Sequence, residues 1–569
     1  MAGATTSEAV AQLRAKAAVA SGRLLAGDRE GRHRRQIALA LGLLGIAYLT
    51  LLQSYSWNQT ATFDLIKALA HGQLTIDPYQ QNTGDKAFYH GHWYSARAPG
   101  LAMFCLPFYE LLKLLGFSSF AHGNPAQPHG NLMIPFVGWW GNVLPALLVL
   151  ACLAWFGERV APPYGLPAAL AAGLGTLILP LGTLLFTHML ATSLAFLAFC
   201  LLYRERHGRG RLLPTAAAGL CAGYATTTEY PTFLLAALLA LYLLFDPRRG
   251  DLLGRLKALA SYAVGVACGL VPLAVFNQLA FGSPFHVAYD NIPRQQQGFF
   301  GIKTPSLHVL LTLLLSSRGL LTLSPLLLVG CAGLYLLYRR GLRAEVWLVG
   351  SATALFLAYN SGYWLPFGGA SPGPRFLLPI VPLLCLGLPT AFRRWPLLGV
   401  AAAGLSAFTV ATATVTHPLV GYETETVKWA RYLFAGNFQP TLASAFGLGR
   451  SFGAIWPFAL PAAVAVGVGF WETAQRGAAI ACRPSLLLVG VAVGCWCLYA
   501  ALGPTALGID HWGLVRIAQA EGMPSLLGYA THFGTNPLSG LVGPAAGAAL
   551  LAVVIGRTLE RLPTFRASA

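Results

Sequence analysis

The sequence predicts an all-α polytopic membrane protein of about 14 spans. Three observations lead there. Of 569 residues, 56% are hydrophobic and only 10% are charged, against roughly a quarter charged in soluble domains. Apolar runs recur along the chain at about 17–25 residues, the length that crosses a hydrocarbon core of about 30 Å. Lysine and arginine, 38 against 20 acidic residues, cluster in alternate loops between those runs, as cytoplasmic loops do. The net charge of +18 is therefore a topology signal, and nucleic acid is not expected as a partner.

Taken in order, residues 1–36 are polar and end in "REGRHRR" against the first apolar run. They read as a cytoplasmic tail with helix around Ser7–Leu25 and no cleavable signal peptide. Spans are expected at 37–53, 133–156, 164–186, 189–203, 213–229, 231–246, 257–278, 319–337, 345–362, 375–391, 396–416, 454–472, 484–502 and 540–557. Between them, "YRERHGRGRL", "DPRRGDLLGRLK", "YRRGLRAE" and "FRRW" fall on one side with the chain ends. The long 54–132 loop, "TEYP", "NQLAFGSPFHVAYDN" and "YNSGYWLPFGGASPGPR" fall on the other. This places both termini in the cytoplasm. Residues 98–115 are apolar, yet a span there would invert every later loop. They are expected to form a re-entrant or interfacial hairpin broken at Pro99 and Pro107. Residues 306–316 read as a half-helix ending at "SSRG".

The ten cysteines lie almost all in apolar runs and read as small fillers. No repeat of solenoid type is evident, nor paired Gly/Pro-interrupted segments in two matching halves. The chain divides into the tail 1–36, a module 37–391 whose first outer loop is 54–132, and C-terminal helices 392–569.

Ionisable residues gather in the outer loops. The first contains Asp64 in a stretch whose apolar residues recur every three or four positions, expected to be an amphipathic helix on the membrane. Asp77, Asp85, Lys86, His90, His92 and Arg97 follow. His188 opens one span and Glu229 closes another; Asn277, His286 and Asp290 follow a third. Arg318 sits in "SSRGLL", and Arg375 enters a span behind a Gly-Gly turn. Taken singly, each can be a solvated helix end or a snorkelling anchor; His71, His90, His308, His417 and His532 are read that way. The coincidence of side is what points to a site. Arginines at an interface pair with phosphate, a carboxylate can take a proton from a hydroxyl, and aromatics such as Trp93, Tyr94, Tyr363 and Trp364 offer flat faces to a sugar. No nucleotide-binding fingerprint is present.

The stretch "IDPYQQNTGDKAFYHGHWYSARAPG" resembles the first-loop signature of bacterial membrane glycosyltransferases of the GT-C fold, in the branch distantly related to protein mannosyltransferases and lipid A aminoarabinose transferases. The matched positions are Ile76-Asp77, Asp85-Lys86-Ala87, Gly91, Tyr94-Ser95 and Ala98-Pro99-Gly100. "FTHMLAT", "TEYP", "FNQLAFGSPF", "SSRGLLTLSPLLL" and "GGASPGPRFLLPIVP" extend the resemblance over about residues 55–390. It implies a GT-C-like helical bundle in the bacterial inner membrane. The implied enzyme takes a sugar from a polyprenyl-phosphate donor on the periplasmic side, with inversion, and a first-loop acid is the base. "QSYSWNQTAT" lacks the acid that better-known relatives place just after the first span, so the base is sought among Asp85, Asp77 and Asp64. Relatives also have Asp-Lys where this chain has Ala96-Arg97. Arg97, Lys86, Arg375 and Arg318 are the candidates for the donor phosphate, and His92, Tyr94, His188, Glu229 and Trp364 for the substrate. A divalent metal is left open, with no ligand spacing that indicates one. The acceptor, whether glycan, lipid or protein, is also open. A transporter or flippase of lipid-linked saccharides is the alternative, and a non-enzymatic scaffold a further one. Both fit less well: the ionisable groups gather at one interface, not at mid-membrane.

Overall fold

A computed structural model describes residues 31–117, 132–246, 251–293, 300–420, 429–445, 452–476, 485–509 and 538–561, with positions 248, 295, 296 and 447. The expected helix around Ser7–Leu25, His532 and Cys482 lie outside the described residues.

Helix α1 covers 31–49. The first loop then folds as α2 (Trp57–Ala70), a two-stranded hairpin β1 (Lys86–Tyr89) and β2 (His92–Ser95), and α3 (Gly100–Leu114). Next come α4 (Met133–Val160, with a π turn at Trp139–Val143), α5 (Gly165–Gly175), α6 (Ile178–Thr183), α7 (Thr187–Arg206), α8 (Leu212–Thr228), α9 (Phe233–Leu244) and α10 (Leu252–Phe281). The longer helices that follow are α11 (Leu307–Leu315), α12 (Leu326–Arg339), α13 (Arg343–Gly362), α14 (Arg375–Cys385), α15 (Leu388–Arg394), α16 (Pro396–Thr416), α17 (Phe452–Gln475), α18 (Ser485–Ala506) and α19 (Val542–Arg561), with short turns of helix at Leu320–Leu323, Trp429–Phe434 and Leu442–Ala445.

Every predicted apolar segment is helical, but fewer are spans in their own right. Six helices are long and apolar enough to cross a membrane, or up to eight if two bent pairs each count as one. Those pairs bend by 84° where Ser324-Pro325 interrupts the run before α12, and by 50° between α14 and α15. A proline removes a backbone donor and crowds the preceding turn, so runs that read as continuous from hydropathy break into shorter rods.

Two first-loop expectations change. Residues 98–115 are not a hairpin: α3 runs unbroken from Gly100 to Leu114 with Pro99 at its N-cap and Pro107 inside it. Proline is well tolerated at a helix start, where no intrahelical donor is needed, and Pro107 costs one bond on an exposed face. The helix expected around Asp64 forms, but Asn58 through Ile66 are all buried. It is packed within the protein on both faces, so Asp64 is not on a wet side.

Among the described residues, the loop contacts named here fall into two sets. At one end His33 pairs with Glu472 (2.6 Å) and Glu158 (3.3 Å), Arg476 with Glu158 (2.6 Å), and His207 with Glu345 (2.9 Å), while Arg340 donates to the Val160 carbonyl (3.2 Å). At the other end the first-loop hairpin meets Phe281 and His286 through Tyr89 and Tyr94 (4.9–5.6 Å between rings), Tyr230 meets Tyr289 (5.5 Å), and Gln295 donates to the Tyr363 hydroxyl (2.7 Å). α7 links the two, with His188 at one tip and Arg206 at the other; its 20 residues span about 30 Å. The division is the one the basic loops predict.

Helices α8 and α10 pack along glycines four apart in each. A Cβ on Gly219 would lie 2.0 Å from the Tyr262 carbonyl oxygen, one on Gly223 2.2 Å from that of Val266, and one on Gly265 2.0 Å from that of Ala216. Such small-xxx-small seams let backbones approach where no hydrophobic force separates helix from lipid. Gly223→Leu and Gly265→Leu are each expected to force the pair apart at a cost of about 1–3 kcal/mol or more, seen as a lower melting temperature in detergent. Gly350→Leu, which faces open space, should leave it unchanged.

Candidate active site

The first loop is organised around Asp77. Its Oδ1 accepts from the backbone N–H of Trp93 (2.6 Å) and its Oδ2 pairs with His92 Nδ1 (2.8 Å), which ties the 77–82 turn to β2. The strands reverse through His90 and Gly91, with φ of 47° and 87°, the left-handed pair that a two-residue hairpin turn requires. Burial opposes the Asp77 charge, yet the Trp93 N–H, His92 and Thr75 outweigh it and hold the carboxyl below its ordinary value.

The hairpin's outer register brings Asp85 opposite the chain that leaves β2. The Ala96 N–H donates to the Asp85 carbonyl (3.0 Å), and the Asp85 carboxylate pairs with Arg97 Nη2 (2.8 Å). The next three residues dock this corner onto α8. A Cβ on Gly100 would lie within 2.6–2.7 Å of Thr228 Oγ1 and the Thr227 carbonyl, and Tyr224 donates to the Gly100 carbonyl (3.0 Å). Only glycine permits that approach, and it sets Arg97 beside Glu229, which caps α8.

Glu229 in turn holds His188. The imidazole Nδ1 lies 3.1 Å from Glu229 Oε2, Thr187 Oγ1 donates to the same oxygen, and the ring stacks on Phe376 at 5.2 Å. His188 Nε2 is buried without a hydrogen-bond partner among the described residues. Arg375 completes the group. Only 5% exposed, it lies over the rings of Phe186 (4.8 Å) and Phe376 (5.5 Å) and forms no ion pair among the described residues. Gly368, at φ 77°, clears its path: a Cβ there would come 2.4 Å from Arg375 Nε. His188, Glu229, Arg375 and Phe376 line one small cavity. The charges of Arg97, Asp85 and Glu229 all act on Arg375.

The structure thus brings together Asp85, Arg97, His188, Glu229 and Arg375, which sequence analysis had placed in four separate loops. Burial weakens the Arg97 cation, but Asp85 chiefly, then Tyr289 and Glu229, holds it above its ordinary pKa. The other candidates stand apart. Asp64 is buried against Lys67 (2.7 Å) and Asn82 (3.1 Å). Burial raises its pKa, more than Lys67 and Asn82 lower it. Lys86 is turned to Gln80 (2.6 Å to Oε1) and the face of Trp93. His92 is held on Asp77, and Tyr94 packs on Phe281. Trp364 hydrogen-bonds through its backbone to Gly301 (3.0 Å). Arg318 donates to the carbonyls of Ser371 (3.4 Å) and Val420, joining two loops. Sequence reasoning missed Thr187 and Tyr289. Their only signal was adjacency to His188 and Asp290. Among the described residues no three or more His, Cys, Asp or Glu side chains converge as a metal site would require.

Neither a family model nor a curated protein matches the chain. Among solved structures it is similar to ArnT from Cupriavidus metallidurans in the apo state, at 15% identity over 78% of each chain and a TM-score of 0.46. The same protein bound to undecaprenyl phosphate matches at 15% identity over 79% of this chain and 78% of that one, with a TM-score of 0.45. The oligosaccharyltransferase of Archaeoglobus fulgidus in the apo form matches at 12% identity over 76% of this chain and 56% of that one, with a TM-score of 0.39.

Two outcomes follow from the electrostatics. A buried cation without an anion is held against its own desolvation cost. Arg375→Met should therefore keep or raise the melting temperature, whereas Arg97→Met, which strands Asp85, should lower it. For Asp64 the folded state holds the proton more tightly than the unfolded chain. Its contribution favours folding below the unfolded pKa of about 4 and is lost as pH rises through the raised folded value. The melting temperature of Asp64→Asn relative to the parent should therefore climb between about pH 4 and neutrality.

Proposed function

We propose that this chain is a bacterial inner-membrane glycosyltransferase that moves a sugar from a polyprenyl-phosphate donor to a hydroxyl of an envelope acceptor, on the periplasmic face. The observation that carries the reading is Arg375: a buried guanidinium beside Arg97, with no anion of its own among the described residues. Two cations side by side, one of them unneutralised, make a receptor for a dianionic or diester phosphate. The first-loop and "GPRFLLP" motifs supply the sugar-lipid chemistry through the family they resemble. The basic loops at the opposite end would face the cytoplasm with both termini.

In this reading the donor phosphate enters between Arg97 and Arg375 and competes with Asp85 for Arg97. Released from that pair, the Asp85 carboxylate acts as the base. It takes the proton from the acceptor hydroxyl as that oxygen bonds to the anomeric carbon. The bond from that carbon to the phosphate oxygen breaks, its electron pair stays on the phosphate, and the two arginines stabilise the charge that develops there. Attack opposite the leaving phosphate inverts the centre. Of the three first-loop aspartates, Asp85 is preferred because Asp77 holds the hairpin and Asp64 is buried against Lys67. His188, whose Nδ1–H is held by the Glu229 carboxylate, presents Nε2 to the same cavity and would accept from a sugar hydroxyl.

Purified protein incubated with a panel of polyprenyl-phosphate sugars and envelope extracts tests it. Asp85→Asn is expected to lower transfer by about 100-fold or more, while Asp77→Asn and Asp64→Asn retain activity in proportion to the folded protein recovered. Full transfer by Asp85→Asn would remove Asp85 from the role of base.

A further inference from the structure

The molecule holds a second, larger cavity at the end remote from Arg375. It measures about 230 Å³ and lies between α5, α16, α17 and α19. Its walls are apolar apart from the hydroxyl-bearing Tyr164 and Thr473. No catalytic group faces it. Its lining runs along α5 from Tyr164 to Leu174 and along α16 from Pro396 to Ala407. Ten residues of helix cover about 15 Å, half of a hydrocarbon core of about 30 Å. The groove is therefore one leaflet deep, and it begins at the basic end.

The groove's mouth carries charge that no acidic group among the described residues answers. Phe392 and Pro396 line the groove, and Arg393 and Arg394 lie between them in the chain, both exposed. Arg393 is near enough to act on Tyr164, and neither arginine forms an ion pair among the described residues. The acidic groups close by are already engaged, Glu158 with Arg476 and His33, and Glu472 with His33. An apolar slot one leaflet deep, ending at two unneutralised arginines, matches one kind of occupant. We infer that this groove binds an anionic phospholipid of the leaflet at the basic end, with an acyl chain between α5 and α16 and the headgroup phosphate at Arg393 and Arg394. A zwitterionic lipid would fill the slot equally but gain less from the arginines, since its own cation competes for the phosphate. The site is separate from the proposed transferase site and does not depend on that reading.

The test uses the full-length protein purified in detergent, with dioleoyl phosphatidylglycerol or dioleoyl phosphatidylcholine added at equal concentration. Melting temperature and lipid retained per protein by native mass spectrometry are both read. Phosphatidylglycerol is expected to raise the melting temperature more, and to be retained in greater amount, than phosphatidylcholine. Ala171→Phe and Ala403→Phe, which fill the groove from two of the helices that line it, should abolish the shift. Arg393→Glu with Arg394→Glu should leave a residual shift but erase the preference for phosphatidylglycerol. Equal responses to the two lipids, no response because a segment of the chain already fills the groove, or an undiminished shift in either plugged variant would overturn the proposal. If both plugged variants fail to fold, the charge-reversed protein decides, and a preserved preference for phosphatidylglycerol overturns it.

Discussion

A guanidinium that has lost its water must find an anion, and the arrangement of this protein turns on one that has not. Arg375 is buried between aromatic faces and beside a second cation, Arg97. In a low-dielectric interior such a charge is costly unless paired, so the surroundings must hold it in place by other means. Its environment is correspondingly over-determined. Gly368 makes room for its Nε, Phe186 and Phe376 offer π faces, and Asp85 and Glu229 supply negative field without direct pairing. What stabilises the folded protein least at this point is the charge that the proposed donor phosphate would answer.

The rest of this end of the molecule can be understood as positioning for that group. Asp77 closes the first-loop turn onto the hairpin, and the hairpin register delivers Asp85 to Arg97. Gly100 lets α3 begin hard against the end of α8, and this contact sets Arg97 next to Glu229. The α8–α10 glycine seam then fixes where the end of α8 stands. Each step is a close backbone approach or a charged hydrogen bond, the kinds of contact that lose most from a small displacement.

The three first-loop aspartates show how one residue type divides into different tasks by environment. Asp77 accepts from a backbone N–H and is held ionised as a structural tie. Asp64 is enclosed, and its charge is disfavoured despite Lys67. Asp85 is part exposed and shares its cation with the site. Composition and spacing treat all three alike; the difference is solvent access and the identity of one neighbour.

By itself the sequence determined the membrane class, where the apolar segments lie and the division of the loops into two sets, because hydropathy and charge are summed over many residues and survive local error. It also brought Asp85, Arg97, His188, Glu229 and Arg375 into consideration, through polarity at helix ends and motif. Which runs are whole spans was not legible: the breaks at Ser324-Pro325 and between α14 and α15 depend on whether tertiary packing tolerates a proline or bends around it. α3 shows the opposite outcome at Pro107. Nor could the sequence say that Asp64 is enclosed, that Arg318 joins two loops, or that Arg375 is left without an anion. Those facts are distances between residues far apart in the chain, and only the packing of helices on one another sets them.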